Sequence, residues 1–162
     1  MFSRHSLSLR RLTRGAVIAA LYAALTLLLA PISYGAVQVR ISEAFTLLPV
    51  LFPEAVPALA LGCLISNILG GCMLPDIIFG TLATLLGAIC TFLLRKKPAF
   101  AAAAPVIFNG LIVGAVVHVC YTPELPMSLC MLSVAAGEAL AVYAVGFLFL
   151  KAIMRVPEKY RL

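Results

Sequence analysis

The stretch Leu93-Leu94-Arg95-Lys96-Lys97-Pro98-Ala99-Phe100 separates two apolar runs, about 76–94 and 99–119. Each run approaches the roughly 20 apolar residues a helix needs to cross hydrocarbon. Charged groups in lipid cost at least about 2.5–3.5 kcal/mol each, so three adjacent cations and a proline return the chain to water between two spans. Outward from this loop, Pro, Gly and charge divide the rest of the chain in the same way. The pattern predicts helices over about 13–33, 43–56, 57–70, 76–94, 99–119 and 127–153. Pro31 and Gly35 close the first, Gly70-Gly71 the third, and Pro123 and Pro126 mark the last turn.

Composition agrees. Of 162 residues, 64% are hydrophobic and only 11% charged, with a mean hydropathy of +1.13. A soluble domain carries roughly 25% charged residues, so lipid is the expected solvent. One transmembrane domain over 1–162 is predicted, with an uncleaved first span, since the rest of the chain is as apolar as that segment. Five cysteines (Cys63, Cys72, Cys90, Cys120, Cys130) lack metal-ligand spacing, so they read as packing residues and no metal site is expected.

The net charge of +6 would point to nucleic acid in a soluble protein, but topology explains it here without a nucleic-acid partner. Arg4, Arg10, Arg11 and Arg14 precede the first span, Arg95, Lys96 and Lys97 follow the fourth, and Lys151, Arg155, Lys159 and Arg161 form the tail. Six spans put all eleven on one face and leave only Arg40 opposite. The positive-inside rule makes that face cytoplasmic, with both termini on it. The expected fold is therefore an all-α six-transmembrane-helix bundle in the plasma membrane. Its second and third segments are short enough to lean on neighbouring helices. Short, Pro/Gly-interrupted segments often flank a transporter's binding site. No repeat relates two halves of the chain.

Polar groups inside the spans need a reason. Glu138 lies about eleven residues into the sixth span, roughly 16 Å below its outer end. It reads as a carboxylate facing a ligand cavity, or as half of a structural pair. Asn109, at comparable depth, offers two donors and an acceptor for a heterocycle edge, or serves as interhelical glue. Asn67 and Asp76 flank the outer break between the third and fourth helices, where Asp76 is also a helix-cap candidate. Ser66 and Thr81 are weaker candidates, because hydroxyls can bond their own helix. In Gln38-Val39-Arg40-Ile41-Ser42-Glu43, Ser42 could cap the second helix with Glu43 in its first turn. That leaves Arg40 unexplained, free to pair with Glu43 or Asp76 or to hold a carbonyl-rich ligand. His118 reads as interfacial. On the first helix Ala16, Ala20 and Ala24 recur every four residues with Ala19 and Ala23 beside them, a small-residue face for docking a partner in lipid. There is no GxxxxGK[ST] loop, HExxH or GxSxG, so neither ATP binding nor hydrolase chemistry is expected of this chain, which is not read as an enzyme.

The run Gln38-Val39-Arg40-Ile41-Ser42-Glu43-Ala44, followed by Leu47-Leu48-Pro49, resembles the signature of the queuosine-precursor transporter (QueT) family. Ser66-Asn67 and the stretch from Asp76 to Leu85 resemble its central block. The resemblance implies a substrate-binding S component of an energy-coupling factor (ECF) transporter. It implies a six-helix bundle that captures ligand near the outer face. It also implies partners: a membrane scaffold subunit and two cytoplasmic ATPases, with ATP used by those partners and no cofactor held by this chain. The implied substrates are 7-deazaguanine bases such as 7-aminomethyl-7-deazaguanine. A carboxylate at Glu138 would accept the ring's N1–H and 2-amino group, with Asn109 on O6 or N3. The aminomethyl cation would favour a second carboxylate, Glu43 or Asp76. Phe45, Phe79, Phe108 or Tyr34 would stack on the ring, and the Tyr34–Ser42 loop would close over the ligand. The alternatives are an S component for another vitamin-like nutrient and a stand-alone proton-coupled carrier using Glu138 and Asp76.

Overall fold

An apolar helix runs until a residue removes a backbone donor or frees the chain, and the computed structural model follows that rule over residues 4–34 and 38–156, the part it describes. Among these residues there are helices and no strand. Helix α1 (Arg4–Leu28) resumes briefly as Ala30–Ser33 after Leu29, because Pro31 has no N–H to give the Leu27 carbonyl. It is followed by α2 (Ile41–Val50), α3 (Ala55–Leu69), α4 (Leu74–Leu93), α5 (Pro98–Cys120) and α6 (Met127–Arg155). Among the described residues α1, α4, α5 and α6 contain stretches long and apolar enough to cross a membrane, while α2 and α3 are shorter. Exposed Leu61, Ile65, Leu132 and Leu148 give the bundle an apolar exterior suited to lipid. Lys159 and Arg161 of the basic tail lie outside the described residues, as do residues 35–37 of the expected loop.

Two expected boundaries are corrected. α1 starts at Arg4, nine residues before the apolar run, because the basic, Leu-rich lead-in has no helix breaker. The second helix covers Ile41–Val50 rather than 43–56 and is wound as a 3-10 helix. Ser42 does not cap it. Arg40 takes the cap position without a side-chain bond, and the Ser42 hydroxyl pairs with that of Thr26 at 2.6 Å. Ten residues is long for this winding. The slimmer rod is buried on several sides, through Ser42, Glu43, Ala44, Thr46, Leu47, Leu48 and Pro49, and packs against α1, α4 and α6.

Glycine sets how closely the other helices approach it. A Cβ on Gly146 of α6 would meet the Ala44 carbonyl at 3.1 Å, and one on Gly137 would meet the Gln38 carbonyl oxygen at 2.0 Å. Gly110 and Gly114, a GxxxG pair, do the same between α5 and α6: their Cβ atoms would lie 2.8 Å from Ala135 Cβ and 2.5 Å from Met131 Cα. Pro105 in α5 cannot bond the Ala101 carbonyl, and the Thr91 hydroxyl of α4 donates to it instead, at 3.2 Å. Both α5 and α6 widen into a π-turn, at Asn109–Val113 and Leu140–Gly146.

The N-terminal half of α1 lies beside the last turns of α6. Arg14 and Val17 share one groove with Phe149, Ile153 and Val156, and Arg14 bonds Glu54 at 2.7 Å. The opposite end gathers Tyr34, the α3–α4 turn and Tyr121, where the Tyr34 hydroxyl donates to the Ser66 carbonyl at 2.7 Å.

Candidate functional site

All six polar residues singled out as ligand contacts are buried: Arg40, Glu43, Asn67, Asp76, Asn109 and Glu138 are each 5% exposed or less. Their placement follows from the helices. Asn109 opens the π-turn of α5 and Glu138 sits just before that of α6, so both helices are locally wide where their polar groups face inward. Such turns are frequent at functional sites. Asn109 Nδ2 donates to Glu138 Oε1 at 3.0 Å. Glu43, on the first turn of α2, accepts the hydroxyl of Tyr22 and lines the same small cavity as Glu138.

Arg40 is the centre of the arrangement. Its Nε donates to the Ser33 carbonyl at 3.3 Å, its Nη1 reaches Cys63 Sγ at 3.9 Å, and the guanidinium lies 5.3 Å from the Tyr34 ring centre. Among the described residues it makes no ion pair within 4 Å, and it shares a small cavity with Glu43. Cys63, expected only to fill space, joins the two sides. Asn67 Nδ2 contacts its sulfur at 3.6 Å and Thr84 Oγ1 at 3.4 Å. Asp76 is not the cap of α4. The cap position is Met73, and Asp76 in the first turn accepts the Tyr121 hydroxyl at 3.1 Å.

Gln38, Arg40, Glu43, Asn109, Val113, Val134 and Glu138 enclose a cavity of about 10 Å³, room for a single water. Several polar atoms around it are left without a protein partner: Arg40 Nη2, Glu43 Oε2, Asn67 Oδ1 and Asp76 Oδ1. Native proteins leave few such atoms, so a group of them on adjoining side chains calls for a water, an ion or a ligand. Asn67 and Asp76 stand outside the lining of the cavity itself and reach it through Cys63 and Arg40. Ser66 is satisfied by its own helix, at 3.0 Å from the Cys63 carbonyl, whereas the buried Thr81 hydroxyl has no partner.

Sequence reasoning missed Tyr22, Cys63 and Tyr121, whose residue types are ordinary in apolar helices. The signal for Tyr22 was a phenol placed mid-helix, where its hydroxyl needs an acceptor. Of the four aromatics considered for stacking, Tyr34 alone touches the network; Phe45 packs on Phe149, and Phe79 is 47% exposed. His118 bonds the Leu125 carbonyl at 2.9 Å. On α1, Ala19 and Ala23 turn into the core, and Ala16, Ala20 and Ala24 are exposed.

At the α3–α4 turn, burial and the nearby Asp76 carboxylate push the Cys72 thiol up to about 11. Since only the thiolate reacts, labelling of Cys72 by a maleimide is expected to keep accelerating up to about pH 11. A plateau near pH 9, read by mass spectrometry, would contradict that environment.

In a comparison with protein families, residues 12–155 match the QueT transporter family. No curated protein and no solved structure matches the chain.

Proposed function

The chain belongs to the QueT transporter family, and on that premise we propose that it is the substrate-capture (S) subunit of an ATP-driven ECF importer for a queuosine precursor, a 7-deazaguanine base such as 7-aminomethyl-7-deazaguanine. In this reading the chain is a single transmembrane domain of six spans in the plasma membrane, both termini cytoplasmic. A membrane scaffold subunit docks on the exposed alanines Ala16, Ala20 and Ala24, and two cytoplasmic ATPases energise the complex.

The observation that carries the reading is the set of unpartnered buried polar atoms on Arg40, Glu43, Asn67 and Asp76, beside the bonded pair Asn109 and Glu138. A guanine-like edge presents two adjacent N–H donors and a carbonyl. Glu138 accepts the donors, Asn109 bonds a ring acceptor, and Arg40 Nη2 supplies a donor to the carbonyl. A cavity sized for one water does not admit such a base, so capture requires the Gln38–Arg40 segment and α2 to move away from α5 and α6.

Glu138→Gln is expected to weaken binding of 7-aminomethyl-7-deazaguanine roughly ten- to hundredfold, the worth of a charge-assisted bond. Calorimetric titration of the purified protein measures it, and unchanged affinity would end the ring-edge assignment. Two buried carboxyl residues on one cavity, Glu43 and Glu138, favour one second reading, a stand-alone proton-coupled carrier. Uptake by proteoliposomes containing this chain alone would support that reading against the importer.

A further inference from the structure

The corner formed by Asn67 and Asp76 takes no part in ring-edge recognition, yet it holds the same kind of unsatisfied atom. Asn67 is 0% and Asp76 1% exposed, and neither Asn67 Oδ1 nor Asp76 Oδ1 has a donor. The remaining polar atoms of the pair are engaged. Asn67 Nδ2 donates to the Asp76 carbonyl at 3.4 Å, and Asp76 Oδ2 accepts the Tyr121 hydroxyl at 3.1 Å. Gly80 lets the backbone of α4 lie close to both, because a Cβ there would lie 3.0 Å from Asp76 Oδ1 and 3.1 Å from Asn67 Nδ2. Two unpartnered acceptors on adjoining side chains suit a small group rich in donors.

Charge decides what kind of group. Three buried carboxyl residues, Glu43, Glu138 and Asp76, accompany a single buried guanidinium, Arg40. A set with more carboxyls than cations suits a cationic ligand, because an uncompensated charge in a dry interior is costly. Glu138 Oε1 is taken by Asn109, whereas the Asn67–Asp76 corner offers a cation two unpartnered acceptors on adjoining side chains.

We propose that Asn67 and Asp76, through their unpartnered Oδ1 atoms, form a separate subsite for the ammonium group of the substrate. The inference rests on the deazaguanine reading above and decides which carboxylate takes the aminomethyl cation. Ring edge and ammonium then engage opposite sides of Arg40, and a base lacking the ammonium loses only the Asp76 side.

The test compares 7-aminomethyl-7-deazaguanine with unsubstituted 7-deazaguanine by calorimetric titration of the full chain in nanodiscs. Wild type should prefer the aminomethyl base, and Asp76→Asn, which preserves shape, should reduce that preference about tenfold or more. Gly80→Ala, whose methyl would press on Asp76 Oδ1 and Asn67 Nδ2, should reduce it in the same direction, whereas Glu138→Gln should weaken both bases together. An undiminished preference in folded Asp76→Asn overturns the subsite even if both bases bind. Wild type that binds neither base overturns the deazaguanine reading, and the subsite with it. Titrations in sodium chloride and in choline chloride separate the ammonium from an inorganic ion. If sodium strengthens binding of the bare base in wild type but not in Asp76→Asn, the corner holds a metal cation and the ammonium assignment fails.

Discussion

Arg40→Met is expected to lower stability by about 3 kcal/mol, the scale seen when one member of a buried charge set is removed, and to abolish capture of the base. Methionine fills much of the volume of arginine, so the loss reports on charge and hydrogen bonding rather than on a cavity. The guanidinium is 5% exposed, holds the Ser33 carbonyl and Cys63, and is the nearby countercharge to Glu43 and Asp76. Without it the buried carboxyls of Glu43, Glu138 and Asp76 lose the cation beside them. Arg40→Lys keeps the charge and loses the planar fork. It should recover most of the stability and little of the affinity, since Nη2 is the atom left free for a ligand. Thermal unfolding in detergent and titration with the base separate the two effects. A methionine variant that melts and binds like wild type would remove Arg40 from the centre of the site.

Gly137→Ala is expected to be the most damaging single-methyl change in the chain. Its Cβ would lie 2.0 Å from the Gln38 carbonyl oxygen, a backbone atom with no rotamer by which to escape, and 3.3 Å from Val39 Cγ2. The segment Gln38–Arg40 is anchored on its other side by the Val39 N–H to Ile32 carbonyl bond at 3.0 Å. Overpacking of this kind costs about 1–3 kcal/mol. The functional loss should be larger, because the residues pushed aside include Arg40 and lead directly into Glu43. Affinity should fall more than tenfold even where the melting point drops by only a few degrees. Gly137→Ala with unchanged melting and unchanged affinity would show that α6 does not set the position of this segment.

The charged and amide residues of the site were legible in the sequence because hydrocarbon makes them expensive. Glu138 and Asn109 needed a reason to lie inside spans, Arg40 stood out against the positive-inside trend and Asp76 beside a helix break, and all four are buried. The same test cannot see Tyr22 or Cys63. A phenol or a thiol in an apolar helix costs little, and only the fold shows that one reaches Glu43 and the other lies between Arg40 and Asn67. Helix positions were legible from Pro and Gly, but α2 was not. Hydrophobic patterning marks an apolar helix without specifying its winding, and the 3-10 form reflects the neighbours crowding Ile41–Val50. The GxxxG pair in α5 was readable in principle, but its partner surface, Met131 and Ala135, is a property of tertiary approach.

The winding of α2 also carries a length. Ten residues at the 3-10 rise of about 2.0 Å make a rod of roughly 20 Å, and the same ten as an α-helix would measure about 15 Å. The difference, about 5 Å, is the travel available to one end of α2 if the other is held, and rewinding would also turn each side chain relative to the next. Glu43 lies on the first turn and Pro49 near the last, so the carboxylate is at the end of a rod whose length depends on its pitch. α2 thus has the proportions of a screw, in which rotation and advance are one motion.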